Sequence, residues 1–236
     1  MFTGLVQAVG IVTKLERLGR GPDAPVRLSI DPGSWDYNPG PGDSISVSGV
    51  CLTVAKRPGA KARVWEFVAI PETLGKTTLG GLRVGSRVNL EHALTPSTLM
   101  GGHLVQGHVD GVGEVVSIRR GEDWRVRVRV PVGLREFVMP KGSVCLDGVS
   151  LTIAKVYEDG LEVALIPTTL EMTTLGALKQ GASVNIETDM VVKTLVTWAE
   201  RVGAVVRRVP GKGSGAGPRS GRSTGKAGAR PAGRRR

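Results

Sequence analysis

Cys51 and Ser150 stand at the same place in two copies of one motif, GVCLTV over residues 49–54 and GVSLTI over 148–153. A thiol gives up its proton far more readily than an aliphatic hydroxyl, so the copies offer a stronger and a weaker nucleophile or proton donor. The competing reading of Cys51 is a small buried hydrophobe. His103 and His108 fall within GGHLVQGHVDG, residues 101–111. Imidazoles are the side chains that exchange protons near neutral pH, and the alternative for each is a structural role. His92 has Thr188 opposite it in the second copy and reads as structural or exposed. Two cysteines and three histidines at unmatched spacings form neither a disulfide framework nor a metal-ligand pattern. The chemistry on offer is addition and proton transfer by positioned side chains.

Those residues sit in a chain that contains itself twice. Residues 71–91, PETLGKTTLGGLRVGSRVNLE, return without a gap at 167–187 as PTTLEMTTLGALKQGASVNIE, identical at 12 of 21 positions. A third pair opens each copy, TGLVQAVGIV from Thr3 and QGHVDGVGEV from Gln106. Each unit runs to roughly 100 residues, enough for its own core, whereas stacking repeats run about 20 to 50. Two similar pockets on one chain suit two similar molecules, or two copies of one.

The elements that must hold these pockets are short strands. Arg125 to Val130 reads RVRVRV, a half-buried strand with valines inward and arginines outward. VRLSI at 26–30 is its counterpart, and the runs DSISVS or GSVCLD, CLTVAK or SLTIAK, EFVAI or EVALI, and RVNLE or SVNIE bring each copy to about six strands. That number fits a small closed antiparallel barrel. One short helix per copy precedes the last strand, with Pro71 and Pro167 at its first turn and Gly80 and Gly176 at its exit; it is expected to plug a barrel end. After Asp189, Val191, Val192, Leu195, Val196, Trp198, Ala199, Val202, Val205 and Val206 make an apolar helical stripe, either packed on its own barrels or forming an oligomer seam.

The net charge of +11 lies in the tail. Residues 207–236 carry ten Lys or Arg and no acid, which leaves 22 basic against 21 acidic residues in 1–206. The tail's Gly, Ser, Pro and Ala content predicts disorder, with at most nonspecific attraction to nucleic acid. A single-strand-binding barrel needs stacking rings in a basic groove, and the near-neutral body has nine aromatics in all. The opening residues lack the cationic and apolar regions of a signal peptide, and no run of about 18 apolar residues occurs, so the expectation is a cytoplasmic protein without a membrane partner.

MFTGLV at the start, the paired GVCLTV and GVSLTI, the paired PETL and PTTL helices, and GGHLVQGHVDG together resemble riboflavin synthase over about residues 1–200. The resemblance implies an all-β fold of two tandem six-stranded antiparallel Greek-key barrels, over 1–97 and 98–189. A trimerisation helix at 190–206 and the disordered basic tail at 207–236 follow. It implies dismutation of two 6,7-dimethyl-8-ribityllumazine molecules to riboflavin and 5-amino-6-(D-ribitylamino)uracil, without a cofactor or metal. It further implies a homotrimer with the site between subunits, and association with lumazine synthase.

Carried over by motif, Gly4, Leu5 and Val6 belong to a first pocket, with Cys51, Leu52, Thr53, Val68, Ala69, Ile70, Pro71, Glu72 and Thr73. The second pocket takes Gln106, Gly107, His108, Lys141, Ser150, Leu151, Thr152, Ala164, Leu165, Ile166, Pro167, Thr168 and Thr169. Cys51, Ser150, His103, His108, Asp147 and Asp189 are the expected catalytic groups, the two acids polarising a thiol, hydroxyl or imidazole. Gly4 and Gly107 would let backbone approach a flat ring, or mark bulges. Thr168 departs from the family's glutamate, which Glu72 keeps. The rival within the same fold is a noncatalytic antenna protein that holds a lumazine or flavin chromophore.

Overall fold

In the computed structural model, which describes residues 1–21, 23–56 and 63–204, the chain forms two closed six-stranded antiparallel barrels. The first is built from β1 (Ala8–Arg17), β2 (Val26–Asp31), β3 (Ser44–Val47), β4 (Val50–Lys56), β5 (Trp65–Ala69) and β6 (Arg87–His92). The second is built from β7 (Gly111–Arg119), β8 (Arg125–Arg129), β9 (Ser143–Leu146), β10 (Val149–Tyr157), β11 (Gly160–Ala164) and β12 (Ser183–Thr188). The walls run β1-β2-β5-β4-β3-β6 and β7-β8-β11-β10-β9-β12, the same Greek-key order twice. Among the described residues, closure leaves no strand edge open to aggregation.

Alternation decides what faces inward. Val126 and Val128 are buried, while Arg125, Arg127 and Arg129 face outward and pair with Asp123, Asp159 and Glu114. The β3–β4 and β9–β10 hairpins turn on Ser48-Gly49 and Asp147-Gly148, with φ of 46°, 82°, 46° and 82°. Positive φ at both central residues is what a two-residue hairpin of this twist demands.

The helices α1 (Pro71–Lys76) and α2 (Pro167–Met172) stop earlier than the glycine spacing implies, and each gives way to a 3-10 turn, Thr78–Gly81 or Thr174–Ala177. Neither helix buries a residue. The plug is Leu79 or Leu175 from the 3-10 turn, each within its barrel's core. Gly80 and Gly176 lie inside these turns because a Cβ there would collide with the carbonyl oxygens of Leu74 and Leu170.

The barrels are sewn together by matched contacts. Phe2 and Val105 exchange backbone hydrogen bonds of 2.7 and 3.1 Å. The Asn89 amide donates to the Asp147 carbonyl at 2.8 Å and its oxygen accepts from the Thr174 N–H at 2.8 Å. Asn185 repeats this with the Ser48 carbonyl and the Thr78 N–H at 2.8 and 2.7 Å. Both asparagines are buried, and each satisfies a backbone group of the opposite copy.

Beyond the barrels, α3 (Met190–Arg201) begins at Asp189, whose carboxylate accepts the Val191 N–H at 2.8 Å. It packs on a 3-10 helix, Val132–Phe137, and Lys193 pairs with Asp110 at 2.8 Å. Its apolar stripe stays open in the single chain: Val191, Leu195, Trp198 and Val202 are 54 to 61% exposed. Val205, Val206 and the tail lie outside the described residues.

Candidate active site

The opening segments cross over. Residues 1–7 lead into the first barrel, yet the Ser150 N–H of β10 donates to the Gly4 carbonyl at 2.8 Å, and Val6 packs against the second barrel's core. Conversely, the Cys51 N–H of β4 donates to the Gly107 carbonyl at 2.8 Å, and Val109 packs against the first barrel's core. Sequence reasoning groups Gly4, Leu5 and Val6 with Cys51, and Gln106, Gly107 and His108 with Ser150; the structure brings together the opposite sets. Glycine is required at both crossings. At φ of +75° and +77°, a Cβ on Gly4 would lie 2.6 Å from the Ser150 Cβ, and one on Gly107 would lie 2.6 Å from the Cys51 Cβ. The close approach demanded there is to the other barrel's strand.

On the outer face of the second barrel is a pocket of about 490 Å³, lined by Arg125, Lys141, Ser150, Leu151, Thr152, Ala154, Ala164, Ile166 and Thr169. Its size suits one small-molecule ligand. Lys141 sits at φ +64° where the first copy has Gly42, a rare conformation for a side-chain-bearing residue. At the Ser150 end, His103 Nδ1 lies 2.7 Å from Ser150 Oγ. Burial pushes the His103 pKa below its ordinary value, against the opposing pull of the Asp189 carboxylate, so the imidazole is neutral at pH 7. Its Nε2 is buried without a protein partner. The imidazole therefore meets the pocket through Ser150, whose hydroxyl lines it and across whose hydrogen bond to Nδ1 a proton can pass.

The first barrel's equivalent face presents Cys51, Thr53, Val68 and Ile70, with Val68 and Ile70 38% and 51% exposed. Val68 on β5 and Ile70 just past its end expose aliphatic side chains two residues apart, an apolar surface on which a planar ring can lie. Gly107 and His108 wall it from the second copy, and His108 takes the place that Leu5 holds in the other wall. The thiol therefore shares its pocket with the His108 segment, and the hydroxyl with His103 and Lys141. Cys51 also packs against the small core of Phe2, Val105 and Cys145 at the seam.

A family profile described as the lumazine binding domain matches the chain twice, over residues 3–93 and 106–189. Riboflavin synthase of Mycobacterium tuberculosis is 46% identical over 200 residues, covering 82% of this chain and 95% of that protein. The chain belongs to the riboflavin synthase family. The Brucella abortus riboflavin synthase is 41% identical over 203 residues, 85% of this chain and 98% of its own length. Among solved structures, LumP complexed with riboflavin superposes with a TM-score of 0.69 at 30% identity, over 80% of this chain and 99% of that one. LumP complexed with 6,7-dimethyl-8-(1'-D-ribityl) lumazine gives 0.67 at 28%, with the same coverage.

Within this riboflavin synthase framework, several expected site residues take other duties. Leu52, Ala69 and Leu165 have their side chains buried in the barrel cores. Pro71, Pro167 and Thr168 lie at the helix starts, and exposed Glu72 is held by Lys76 at 2.7 Å, one helical turn on, which lowers its pKa. Asp147 is not a pocket residue. It is buried in the hairpin turn at the seam, where its carboxylate accepts the Asn185 N–H at 2.8 Å, and burial pushes its pKa up to about 7. Asp189 caps α3 and reaches His103 through its charge alone. His92 is structural: it stacks on Tyr37 with centroids 4.7 Å apart.

Two buried carboxylates complete the site and escape motif reading. Glu91, on β6, accepts the Thr3 N–H, the Thr3 hydroxyl and the Gly4 N–H at 2.6, 2.7 and 3.0 Å. Glu187, on β12, accepts the N–H groups of Gln106, Gly107 and His108 at 2.7, 2.9 and 3.1 Å. Burial raises both pKa values, and these hydrogen bonds oppose the rise. The available signal is that both close the duplicated block as an identical residue after the same polar–apolar alternation, RVNLE and SVNIE.

Proposed function

We propose that the chain catalyses the riboflavin synthase reaction, in which one 6,7-dimethyl-8-ribityllumazine gives a four-carbon unit to a second and becomes 5-amino-6-(D-ribitylamino)uracil. The observation that carries this is the pair of matching strand faces, each closed by a glycine wall from the other copy, one bearing Cys51 and the other the Ser150–His103 pair. Two identical substrates need like shape, and their unlike fates need unlike chemistry. The exchange between identical molecules balances without an oxidant. Holding two rings face to face supplies effective molarities of about 10⁵ to 10⁸ M, roughly 7 to 11 kcal/mol of barrier.

In this reading the Cys51 pocket holds the ring attacked next to N8, the thiol adding to that carbon or hydrogen-bonding there. His103, neutral and hydrogen-bonded to Ser150, receives the proton that leaves the acidic C7 methyl group of the other ring. Ser150 orients that imidazole, and Lys141 steadies carbonyl or ribityl oxygens. The test is to incubate the purified protein with the lumazine and follow riboflavin by fluorescence. Stoichiometric conversion of two lumazines to one riboflavin is expected; tight binding without turnover would instead make it a chromophore carrier.

In this reading a complete site joins the first barrel of one subunit to the second barrel of its neighbour. The open stripe of α3 supplies the seam of a homotrimer, and the enzyme works in the cytoplasm. Ending the chain at Asp189 should give monomers with turnover at least about 100-fold down, since losing face-to-face placement forfeits most of the proximity gain. Light scattering that shows an unchanged mass for this truncation would remove α3 from the assembly.

A further inference from the structure

We propose that Glu91 and Glu187 are positioning residues that act across the barrel boundary, each fixing the wall of the pocket on the other barrel. Glu187 belongs to the second barrel, but the segment it grips, Gln106 to His108, presents the Gly107 carbonyl to Cys51 of the first. Glu91 belongs to the first barrel, but the Thr3–Gly4 segment it grips presents the Gly4 carbonyl to Ser150 of the second. The same grip recurs at both ends of the pseudo-twofold arrangement, with three donors on each carboxylate.

The chemistry of the grip needs a carboxylate. Three donors converge on two oxygens, and both oxygens of each glutamate are used. A glutamine of the same size would turn an N–H₂ group toward at least one backbone N–H, replacing an acceptor with a donor. The gripped residues are also the ones whose displacement matters. Their glycines pack with no spare room against Cys51 and Ser150, so a shift at the clamp is delivered to the opposite pocket. A local structural role would instead disturb the barrel that carries the glutamate.

Two reporters separate these outcomes without relying on turnover. Cys51 is partly exposed and Cys145 is buried, so iodoacetamide labelling followed by peptide mapping reads the Cys51 wall. The His103 imidazole, hydrogen-bonded to Ser150, reads the other wall through its proton resonance against pH. Glu187→Gln should speed Cys51 labelling by about tenfold or more, the scale of one lost charge-assisted hydrogen bond, and leave the His103 titration in place. Glu91→Gln should move the His103 titration and leave Cys51 labelling within about twofold of the parent. Gly107→Ala, which strikes the wall directly, should reproduce the Glu187→Gln labelling change and covers the case in which that variant fails to fold.

Reporters that shift in the glutamate's own barrel, or equally in both, would overturn the proposal. Turnover is a separate arm that rests on the function proposed above: crossed reporter shifts with turnover unchanged would uphold the positioning and count against these pockets as the reacting sites.

Discussion

Cys51→Ser should lose about 10- to 100-fold in maximal turnover, about 1.4 to 2.7 kcal/mol of transition-state stabilisation, with lumazine affinity within about threefold of the parent. The substitution keeps the side chain's size and one hydrogen-bonding group, so the Gly107 wall and the Val68–Ile70 floor remain. What changes is nucleophilicity and acidity at one atom. A group that acts only as the reaction proceeds lowers the maximal rate when lost, whereas a group that binds substrate and transition state alike lowers affinity. Ser150→Ala is the contrasting case. It removes the partner 2.7 Å from His103 Nδ1 and frees the imidazole to rotate, so a smaller rate loss and an altered pH profile are expected. Rates and fluorescence titrations of both variants check this. Parent-like turnover in Cys51→Ser with a large loss in Ser150→Ala would place the harder chemistry on the second barrel.

The sequence discloses the barrels but not the crossing, and symmetry is the reason. A duplicated chain satisfies its own repeat whether Gly4 lies against Cys51 or against Ser150, because GVCLTV and GVSLTI offer the same strand to either opening segment. The choice rests on long-range placement of residues 1–7 and 103–110, and no local pattern encodes that. Asp147 and Asp189 are different, since both duties are locally legible. Asp147-Gly148 is the dipeptide of a two-residue hairpin between apolar strands, and Asp189 directly precedes an apolar helical stripe, the place of a capping residue. Family resemblance draws attention to their charge when their turn and cap chemistry is the stronger signal. Glu72 likewise reads locally, four residues before Lys76 on a helix face. Glu91 and Glu187 are harder. A glutamate at a strand end resembles a surface residue until the three donors that converge on it are seen.

The buried turn at the seam makes stability depend on pH. Asp147 is raised from 3.8 to about 7 by burial, with the single Asn185 N–H in opposition. A carboxyl whose folded pKa exceeds its unfolded value holds a proton in the folded state that the unfolded chain has released. Its contribution is therefore full below about pH 4, falls as pH rises toward 7, and is flat above. The shift is about three units at roughly 1.4 kcal/mol each, which sets a ceiling of roughly 4 kcal/mol on the loss. Asp147→Asn removes the titration, and its amide oxygen can still accept the Asn185 N–H. Asparagine also tolerates the left-handed backbone of this position, φ 46°. Near pH 8 the variant should therefore gain about 1 to 3 kcal/mol, which for a chain of this size is about 2 to 4 °C in melting temperature per kcal/mol. Near pH 4, where the parent's carboxyl is protonated in the fold, the two proteins should melt together. Melting curves of both across pH 4 to 8 read this directly, and a gap that stays constant with pH would show that Asp147 is ionised in the folded protein throughout.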